Sequence, residues 1–352
     1  MKKGMIAGIL TLLFSLALRP AADAAPMFLE KDGIKVGYDG GFVIKVKDKF
    51  KLHFASYVQF QHVLAENDAA DDTSTFRIAK GRLRWSGFMY NPKFTYLVQL
   101  EVADGAKDGT KDTTLKDAWL NIGHYENMSI RVGQYFVPFN RQQTTFFAQL
   151  QFVDTSFASK KFNANQTNPR DVGIMLSGRH DQIEYTVGVF NGNGINQAKD
   201  NDDNQLLTVG RVRFNPFGKM PVSESDIAHT ETPLLTIGGA VAHDAGNKNL
   251  KNGSTAPGSA ATYGLEFAFK HQGKSVQGEY YYRDARNNPN AKGAYIQGGL
   301  FLVPKKVEVA ARYGHFDSQA AGMDEEELTA GANFFFAGHR RKLQIDVSRV
   351  SK

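Results

Sequence analysis

Pairs of arginine residues separated by one residue occur twice, as Arg82 with Arg84 and as Arg211 with Arg213. Because alternate residues of a β-strand face the same side, each pair predicts two neighbouring guanidinium groups on one face. Rows of guanidinium groups along a low-dielectric wall attract anions and pass them from site to site. Strand parity extends this predicted water-facing row to seven residues: Lys51, Arg82, Arg84, Arg131, Arg211, Arg213 and Arg312.

Carboxylates share this predicted face, which leaves a second interpretation open. The same parity turns a set of acids toward the arginines: Glu101, Asp117, Glu279, Glu308 and Asp346. Arginine and glutamate side chains on neighbouring strands can brace a sheet by forming pairs, without selecting any solute. The basic residues therefore predict either an anion path or a set of structural ion pairs.

The longest polar connection, residues 136–170, adds a second basic group. Its four basic residues, Arg141, Lys160, Lys161 and Arg170, stand against a single acid, Asp154, and many amide and hydroxyl donors accompany them. An anion that sheds part of its hydration shell would find replacement partners there. Lys160 and Lys161 could equally be solvated on the surface of a loop.

No residue pattern in the chain predicts an enzyme. The nine histidines are scattered without an HExxH pair, and we recognise no serine, histidine and aspartate set. The chain has no cysteine, which excludes disulfides and thiolate metal sites. We therefore expect no catalytic residue, no metal and no cofactor.

The elements that must position the basic residues begin after an export signal. Two lysines precede an apolar stretch from Met5 to Leu18, and Ala22-Asp23-Ala24 follows as the cleavage site. This stretch is shorter than the roughly 20 residues that a membrane-spanning helix needs. We predict a signal peptide over residues 1–24, a periplasmic N-terminal segment over 25–48 and a β-barrel domain over 49–352.

Charge and composition narrow the class of partners. The formal net charge is +6, and the predicted signal peptide holds three basic residues and one acid, so that +4 remains on the mature chain. This modest surplus predicts no nucleic-acid partner. A mean hydropathy of -0.37 suits a soluble protein, but it also suits a membrane barrel in which alternate residues face water.

Alternation with a period of two residues runs through the mature chain. Phe50, Leu52 and Phe54 share one face of the first clear strand, whereas Lys51 and His53 share the other. The connections alternate between short turns and long polar loops, as in an outer-membrane barrel, although residues 215–233 form a long connection on the turn side. We therefore predict an all-β fold, a transmembrane antiparallel β-barrel of about 16 strands with a polar lumen narrowed by an inward-folded loop.

The strand count poses a problem, because we count 15 strands between Phe50 and Val350. An odd number would leave the two ends of the barrel domain on opposite sides of the membrane. Either residues 41–47 supply a sixteenth strand, or the closing C-terminal strand is missing. The final residues, Ser348 to Lys352, lack the terminal aromatic that usually ends such barrels, which favours the second alternative.

Several motifs resemble the phosphate-selective porin O and P family. The clearest is Arg131-Val132-Gly133-Gln134-Tyr135-Phe136-Val137-Pro138-Phe139-Asn140, and four more stretches occur in the expected order: 168–173, 185–192, 293–299 and 308–313. The resemblance implies a homotrimer of 16-stranded barrels in the bacterial outer membrane, in contact with outer-membrane lipid. It also implies small anionic solutes such as phosphate as partners, although the recognition residues of the family cannot be matched here one by one.

Two functions remain open at this point. A porin for diffusion of small hydrophilic solutes, biased to anions and to phosphate, would conduct ions freely. A structural or plugged barrel, serving as an anchor or as a sheath for an electron carrier, would conduct little. An outer-membrane hydrolase would need a nucleophile and base facing each other, and we find none.

Overall fold

The computed structural model describes residues 4–15, 27–67, 71–103, 113–125, 127–165, 168–196, 204–245, 259–286, 289–319 and 324–351. Antiparallel β-strands dominate this part of the chain. They are β1 (Gly4–Ser15), β2 (Met27–Lys31), β3 (Ile34–Tyr38), β4 (Phe42–Val46), β5 (Phe50–Asn67), β6 (Thr73–Met89), β7 (Phe94–Glu101), β8 (Thr114–Tyr125), β9 (Met128–Phe136), β10 (Arg170–His180), β11 (Ile183–Phe190), β12 (Leu207–Phe214), β13 (Leu234–Asp244), β14 (Ala260–His271), β15 (Lys274–Ala285), β16 (Ala291–Val303), β17 (Val307–Asp317), β18 (Glu325–Phe335) and β19 (Arg341–Ser351).

Burial along these strands is the reverse of that in a water-soluble sheet. On β14, Leu265 is 64% exposed while its neighbour Glu266 is 7% exposed. On β18, Leu328 is 62% exposed while Glu327 is 5% exposed. Apolar side chains on the outside and polar side chains on the inside are stable where the surroundings are lipid. The predicted transmembrane barrel is confirmed, and a soluble β-protein does not fit this pattern.

The strands pair in sequence order around a circuit. Each strand from β5 to β19 is hydrogen-bonded to the next, and β1 pairs with β19 on one side and with β5 on the other. The circuit thus contains the fifteen strands predicted between Phe50 and Val350 and β1 as the sixteenth. Because β1 lies in the predicted signal peptide, the fifteen strands from β5 to β19 are the part of the wall that the predicted mature chain keeps.

The N-terminal part of the chain forms a short meander, β2–β4, next to the start of β5. Residues 41–47 do not supply the sixteenth wall strand. Their strand β4 pairs with only the first residues of β5, and on its other side it pairs with β3 of the short meander. In the chain as it stands, β1 of the predicted signal peptide lies beside Tyr57 to Asn67 of β5. Residues 1–3 and 16–24 of that peptide lie outside the described residues, and its removal stays a prediction, as does a missing C-terminal strand.

In the described part of the chain, helical structure occurs in the connection between β9 and β10 and nowhere else. It consists of α1 (Arg141–Thr144), a 3-10 helix (Phe147–Gln149) and α2 (Phe157–Lys161). Asn140 caps α1 by accepting a hydrogen bond from the Gln143 backbone N–H, and Ser156 caps α2 in the same way. Within the described residues, no helix is long and apolar enough to span a membrane.

Candidate functional site

The connection between β9 and β10, residues 137–169, is called the lumen loop here. It leaves and re-enters the barrel wall at neighbouring positions, because Phe136 and Arg170 are paired in register. Its interior residues are buried, with Phe152 and Phe162 at 0% exposure. The loop contacts strands on opposite sides of the barrel and therefore lies inside it, as predicted.

Carboxylates on β15, β18 and β19 hold the backbone of the lumen loop. Glu279 accepts hydrogen bonds from the backbone N–H groups of Arg141, at 2.6 Å, and Gln142, at 3.0 Å. Asp346 accepts from Val153 N–H at 2.6 Å, and Glu327 accepts from Phe157 N–H at 3.1 Å. Charged acceptors form strong hydrogen bonds in such buried places. We call β15–β19 the anchoring wall.

The 293–299 motif on β16 belongs to this anchoring wall, and its alternate residues contact the lumen loop or the carboxylate that holds it. Tyr295 Oη donates to Glu279 at 2.7 Å, and Gln297 Nε2 donates to Gln151 Oε1 at 3.2 Å. A Cβ atom on Gly293 would lie 2.7 Å from the Phe162 ring, and one on Gly299 would lie 2.1 Å from Gln151 Nε2. Glycine at these two positions gives the loop room to approach the strand.

A second segment enters the lumen from the opposite end. The connection between β12 and β13, residues 215–233, which the sequence marks as unusually long, is called the long turn. Its Glu224 is 2% exposed and accepts hydrogen bonds from Gln151 N–H on the lumen loop at 2.7 Å and from Gln277 Nε2 on β15 at 2.8 Å. Ser225 Oγ donates to Glu308 at 2.7 Å. The anchoring wall is therefore covered by two inserted segments.

The lumen loop meets the opposite wall through aromatic rings. Phe146 and Phe147 pack edge-on against Tyr57 of β5, with ring centroids 5.1 and 6.3 Å away. The guanidinium carbon of Arg82 lies 4.7 Å from the Phe147 ring centroid, and that of Arg84 lies 5.8 Å from the Phe146 ring centroid. Cations are attracted to the faces of aromatic rings without being neutralised by them. We call β5–β9 the cationic wall.

Four of the seven predicted wall cations are paired with carboxylates. Arg211 makes two hydrogen bonds to Glu266, at 2.7 and 2.8 Å, and is 7% exposed. The others are Arg82 with Glu101 at 3.0 Å, Arg213 with Glu184 at 2.7 Å and Arg312 with Glu327 at 2.6 Å. For these four arginines, the bracing interpretation describes the structure.

The remaining three predicted wall cations are Lys51, Arg84 and Arg131. Among the described residues, none of them has a carboxylate within ion-pair distance. The Arg131 guanidinium lies 4.2 Å from the Trp119 ring centroid and 5.5 Å from that of Tyr135. The Nε atoms of Arg84 and Arg131 are buried without a hydrogen-bond partner in the described structure. Within the described residues, no carboxylate therefore neutralises these three cations at ion-pair distance.

The four predicted loop cations are divided between buried and accessible positions. Arg141 is 4% exposed and donates from Nε to Gln277 Oε1 at 3.2 Å, so it fastens the loop to the wall. Arg170 is 5% exposed and makes two hydrogen bonds of 3.1 Å to Asp117. Lys160 lies 3.6 Å from Asp154, and Lys161 lies 3.2 Å from Glu325. The structure thus gives each of these four residues a partner.

Asp154, the single acid of the lumen loop, lies within a field of positive charge. Burial disfavours its ionised form, but Lys160, Lys80 and Arg312 outweigh that effect and hold the pKa of Asp154 below its usual range. The carboxylate is therefore ionised at neutral pH and offsets part of the charge of Lys160.

Sequence reasoning missed Lys80 and the inward role of the long turn. Lys80 precedes Arg82 by two residues, so strand parity was sufficient to find it; its Nζ donates to Gln59 Oε1 at 2.8 Å and lies 5.1 Å from the Phe147 ring centroid. The only sequence feature that distinguished the long turn was its length, and this did not indicate that the turn enters the lumen. Nothing in the sequence around Glu224 distinguished it from a solvated acid.

Asp171 connects two of the recognised motifs, 168–173 and 185–192, through hydrogen bonds. It is 0% exposed and accepts hydrogen bonds from Asn165 Nδ2 at 3.2 Å and from Gly192 N–H at 2.8 Å. Gly192 has a φ of +94°, which favours glycine. One carboxylate therefore ties the end of the lumen loop to the connection that follows β11.

The circuit of strands, the polar interior and the inserted loop define a β-barrel porin of the outer membrane. The sequence profile of the phosphate-selective porin O and P family matches residues 50–350, and the chain belongs to that family. This membership places the protein among channels rather than enzymes. A search of curated protein sequences found no match.

Solved structures with this fold are distant in sequence. A loop-deletion mutant of OmpT, an outer membrane protein of Vibrio cholerae, aligns over 100% of this chain and 98% of its own, with 10% identity and a TM-score of 0.52. An anion-selective porin from Comamonas acidovorans aligns over 100% of this chain and 98% of its own, with 9% identity and a TM-score of 0.50. At such identities the likeness concerns the fold alone.

Proposed function

We propose that this porin conducts small hydrophilic solutes through a water-filled pore and prefers anions. The observation that carries the proposal is the contrast between paired and unpaired cations on the wall. Arg84 and Arg131 keep partial exposure and lack a carboxylate partner among the described residues, whereas the paired Arg82, Arg211 and Arg312 are buried. Uncompensated positive charge facing a narrow lumen concentrates anions there.

The solute path runs along the cationic wall past Arg84 and Arg131, beside the contact that Phe146 and Phe147 make with Tyr57. The anchoring wall is covered by the lumen loop and the long turn, which leaves the side lined by Lys80, Arg84 and Arg131. Rings beneath Arg84 and Arg131 orient the guanidinium groups and exclude water from one of their faces. An anion passing them exchanges hydration water for N–H donors.

Phosphate is the solute class for which the family is described, and we extend it to this chain as a proposal. Guanidinium groups suit phosphate because two parallel N–H donors match two of its oxygens. The expected result is that millimolar phosphate added to a chloride solution lowers the chloride current. An unchanged chloride current would argue for general anion preference without a phosphate site.

The test of the anion preference is the reversal potential of the purified protein in a planar bilayer across a potassium chloride gradient. We expect an open channel whose reversal potential lies on the anion side. A potential on the cation side would contradict the proposal. Absence of conductance would favour the plugged-barrel alternative, for which the dense packing on the anchoring wall is the supporting observation.

We also propose that the protein is exported by its N-terminal signal and assembles as a homotrimer. The support is the charge and apolar pattern of residues 1–24 and the resemblance to the family. The intact mass of protein extracted from outer membranes should lack residues 1–24, and chemical cross-linking before denaturation should give a trimer band. A full-length mass or a monomer band would contradict the respective part.

A further inference from the structure

Glu224 of the long turn is a buried carboxylate bound by neutral donors from two parts of the molecule, the lumen loop and the anchoring wall. Its Oε1 accepts from Gln142 Nε2 at 3.0 Å and from Gln277 Nε2 at 2.8 Å. Its Oε2 accepts from Gln151 N–H at 2.7 Å and from Gln297 Nε2 at 3.0 Å. Gln142 and Gln151 belong to the lumen loop, whereas the other two donors belong to the anchoring wall.

The backbone of the long turn is fixed at the same place. Glu224 N–H donates to the carbonyl of Gln149 at 3.0 Å, and Lys270 Nζ on β14 donates to the carbonyls of Ser223 and Ser225 on either side. Among the described residues, no cation lies within ion-pair distance of the Glu224 carboxylate. A buried charge in this position depends on its hydrogen bonds, so the loop and the turn stabilise each other.

We propose that Glu224 is a positioning residue which fixes the lumen loop from the turn side of the barrel, so that two segments inserted from opposite ends set the pore width together. The proposal rests on the proposed pore function. Because Gln142 and Gln151 lie on either side of Phe146 and Phe147, Glu224 also fixes the two rings that face Lys80, Arg82 and Arg84. Loss of the carboxylate would let this aromatic edge move.

The experiment compares Glu224→Ala with Glu231→Ala, an exposed acid of the same long turn, in single-channel recordings. Hydrogen bonds to a carboxylate shift local equilibria by about tenfold or more each. We therefore expect Glu224→Ala to raise the time spent in displaced conductance levels at least about tenfold, while Glu231→Ala records like the wild type. Equal, steady conductance in both variants would overturn the proposal.

A second measurement does not depend on conductance and separates this proposal from the pore function. The amide hydrogen of Gln151 should exchange with deuterium about tenfold faster in Glu224→Ala than in Glu231→Ala, with unchanged protection of the wall strands. Unchanged exchange at Gln151 would overturn the positioning role even if the protein conducts. Faster exchange in a protein that conducts nothing would support the positioning role and reject the pore.

An exchange of the two partners distinguishes positioning from a loss of barrel stability. In Glu224→Gln/Gln142→Glu the carboxylate and the amide change places, and the pair between the long turn and the lumen loop can form again. We expect this double variant to record closer to the wild type than Glu224→Gln alone. If the double variant is no steadier than the single one, the contact between residues 142 and 224 does not position the loop.

Discussion

The two walls of this lumen use charge in opposite ways. On the anchoring wall, carboxylates such as Glu279 and Asp346 accept hydrogen bonds from backbone N–H groups of the lumen loop, and Arg312 forms an ion pair with Glu327. On the cationic wall, Arg84 and Arg131 rest against rings. Carboxylates neutralise and fix what they contact, whereas rings orient a cation and leave its charge in place. Arg82, also on the cationic wall, is braced by Glu101, so the contrast concerns Arg84 and Arg131, which have no carboxylate partner among the described residues.

The largest effect on selectivity should come from reversing charge on the cationic wall. Arg84→Glu/Arg131→Glu replaces two uncompensated cations by anions, and we expect the anion-to-cation permeability ratio to fall by roughly an order of magnitude. Reversal potentials in a salt gradient measure this ratio. The control is Lys93→Glu/Arg286→Glu, which changes net charge equally at two exposed positions in the connections between strands. An equal fall in the control would mean that net charge, and not the wall, sets selectivity.

The largest effect on stability should come instead from the anchoring wall. Glu327→Ala leaves the buried Arg312 without its carboxylate and frees Phe157 N–H, which should lower the free energy of unfolding by about 3–5 kcal/mol. Arg84→Ala should cost less than about 1 kcal/mol, because no ion pair is broken in the described structure. Urea unfolding in detergent, followed by tryptophan fluorescence, measures both.

The double variant Glu327→Ala/Arg312→Ala checks the cause. If the unpaired guanidinium is what destabilises Glu327→Ala, removing Arg312 as well should restore part of the lost free energy. A double variant that is less stable than Glu327→Ala would show that Arg312 contributes through its other contacts, such as its hydrogen bond to the Asp154 carbonyl.

The sequence pattern was sufficient to predict the wall strands. It was insufficient to predict which inward-facing arginines form ion pairs. Period-two alternation gave the fifteen strands from β5 to β19 and the inward direction of the arginines, because burial on one face is written into neighbouring residues. Whether an inward arginine meets a carboxylate depends on strand register and shear. Glu266, the partner of Arg211, lies 55 residues away along the chain and two strands away in the wall. Parity alone could not select it.

The lumen loop shows the same limit. Its length and composition predicted insertion, but the fixed points are single hydrogen bonds to β15, β18 and β19, which follow it by more than a hundred residues. The buried hydrogen bonds of Glu224 could not be predicted from the sequence, because tertiary structure determines both its partners and its burial. Residues 41–47 remained one of two alternatives for a sixteenth wall strand, because a short meander has the same alternation as a barrel strand.

The attachment of the long turn should depend on pH through His339, in the turn between β18 and β19. Its Nε2 lies 2.8 Å from Ser223 Oγ, and burial together with Lys342 and Lys270 lowers the pKa of His339 to about 3. In the unfolded chain this pKa is about 6.5, so the unfolded state binds a proton first as the pH falls. The free energy of unfolding should therefore decrease between about pH 6.5 and pH 3, by a few kcal/mol at most.

The control for this pH dependence is His339→Asn, which removes the titrating group. Carboxylates also titrate in part of this range, so the informative quantity is the difference between the two proteins in the change of unfolding free energy between pH 7 and pH 5. We expect the wild type to lose more stability than the variant. Equal losses would show that His339 does not link the long turn to pH.

The smallest effect should come from Lys160→Glu/Lys161→Glu, although sequence composition made these residues prime candidates for selectivity. Lys160 and Lys161 already lie within ion-pair distance of Asp154 and Glu325, and the side chains are about half exposed. Solvent and their partners screen such charges, so we expect the permeability ratio to change by less than about twofold. A collapse of anion preference in this variant would place the selectivity filter in the lumen loop. The cations of β6 and β9 would then not determine the permeability ratio, which would contradict the role assigned to the cationic wall.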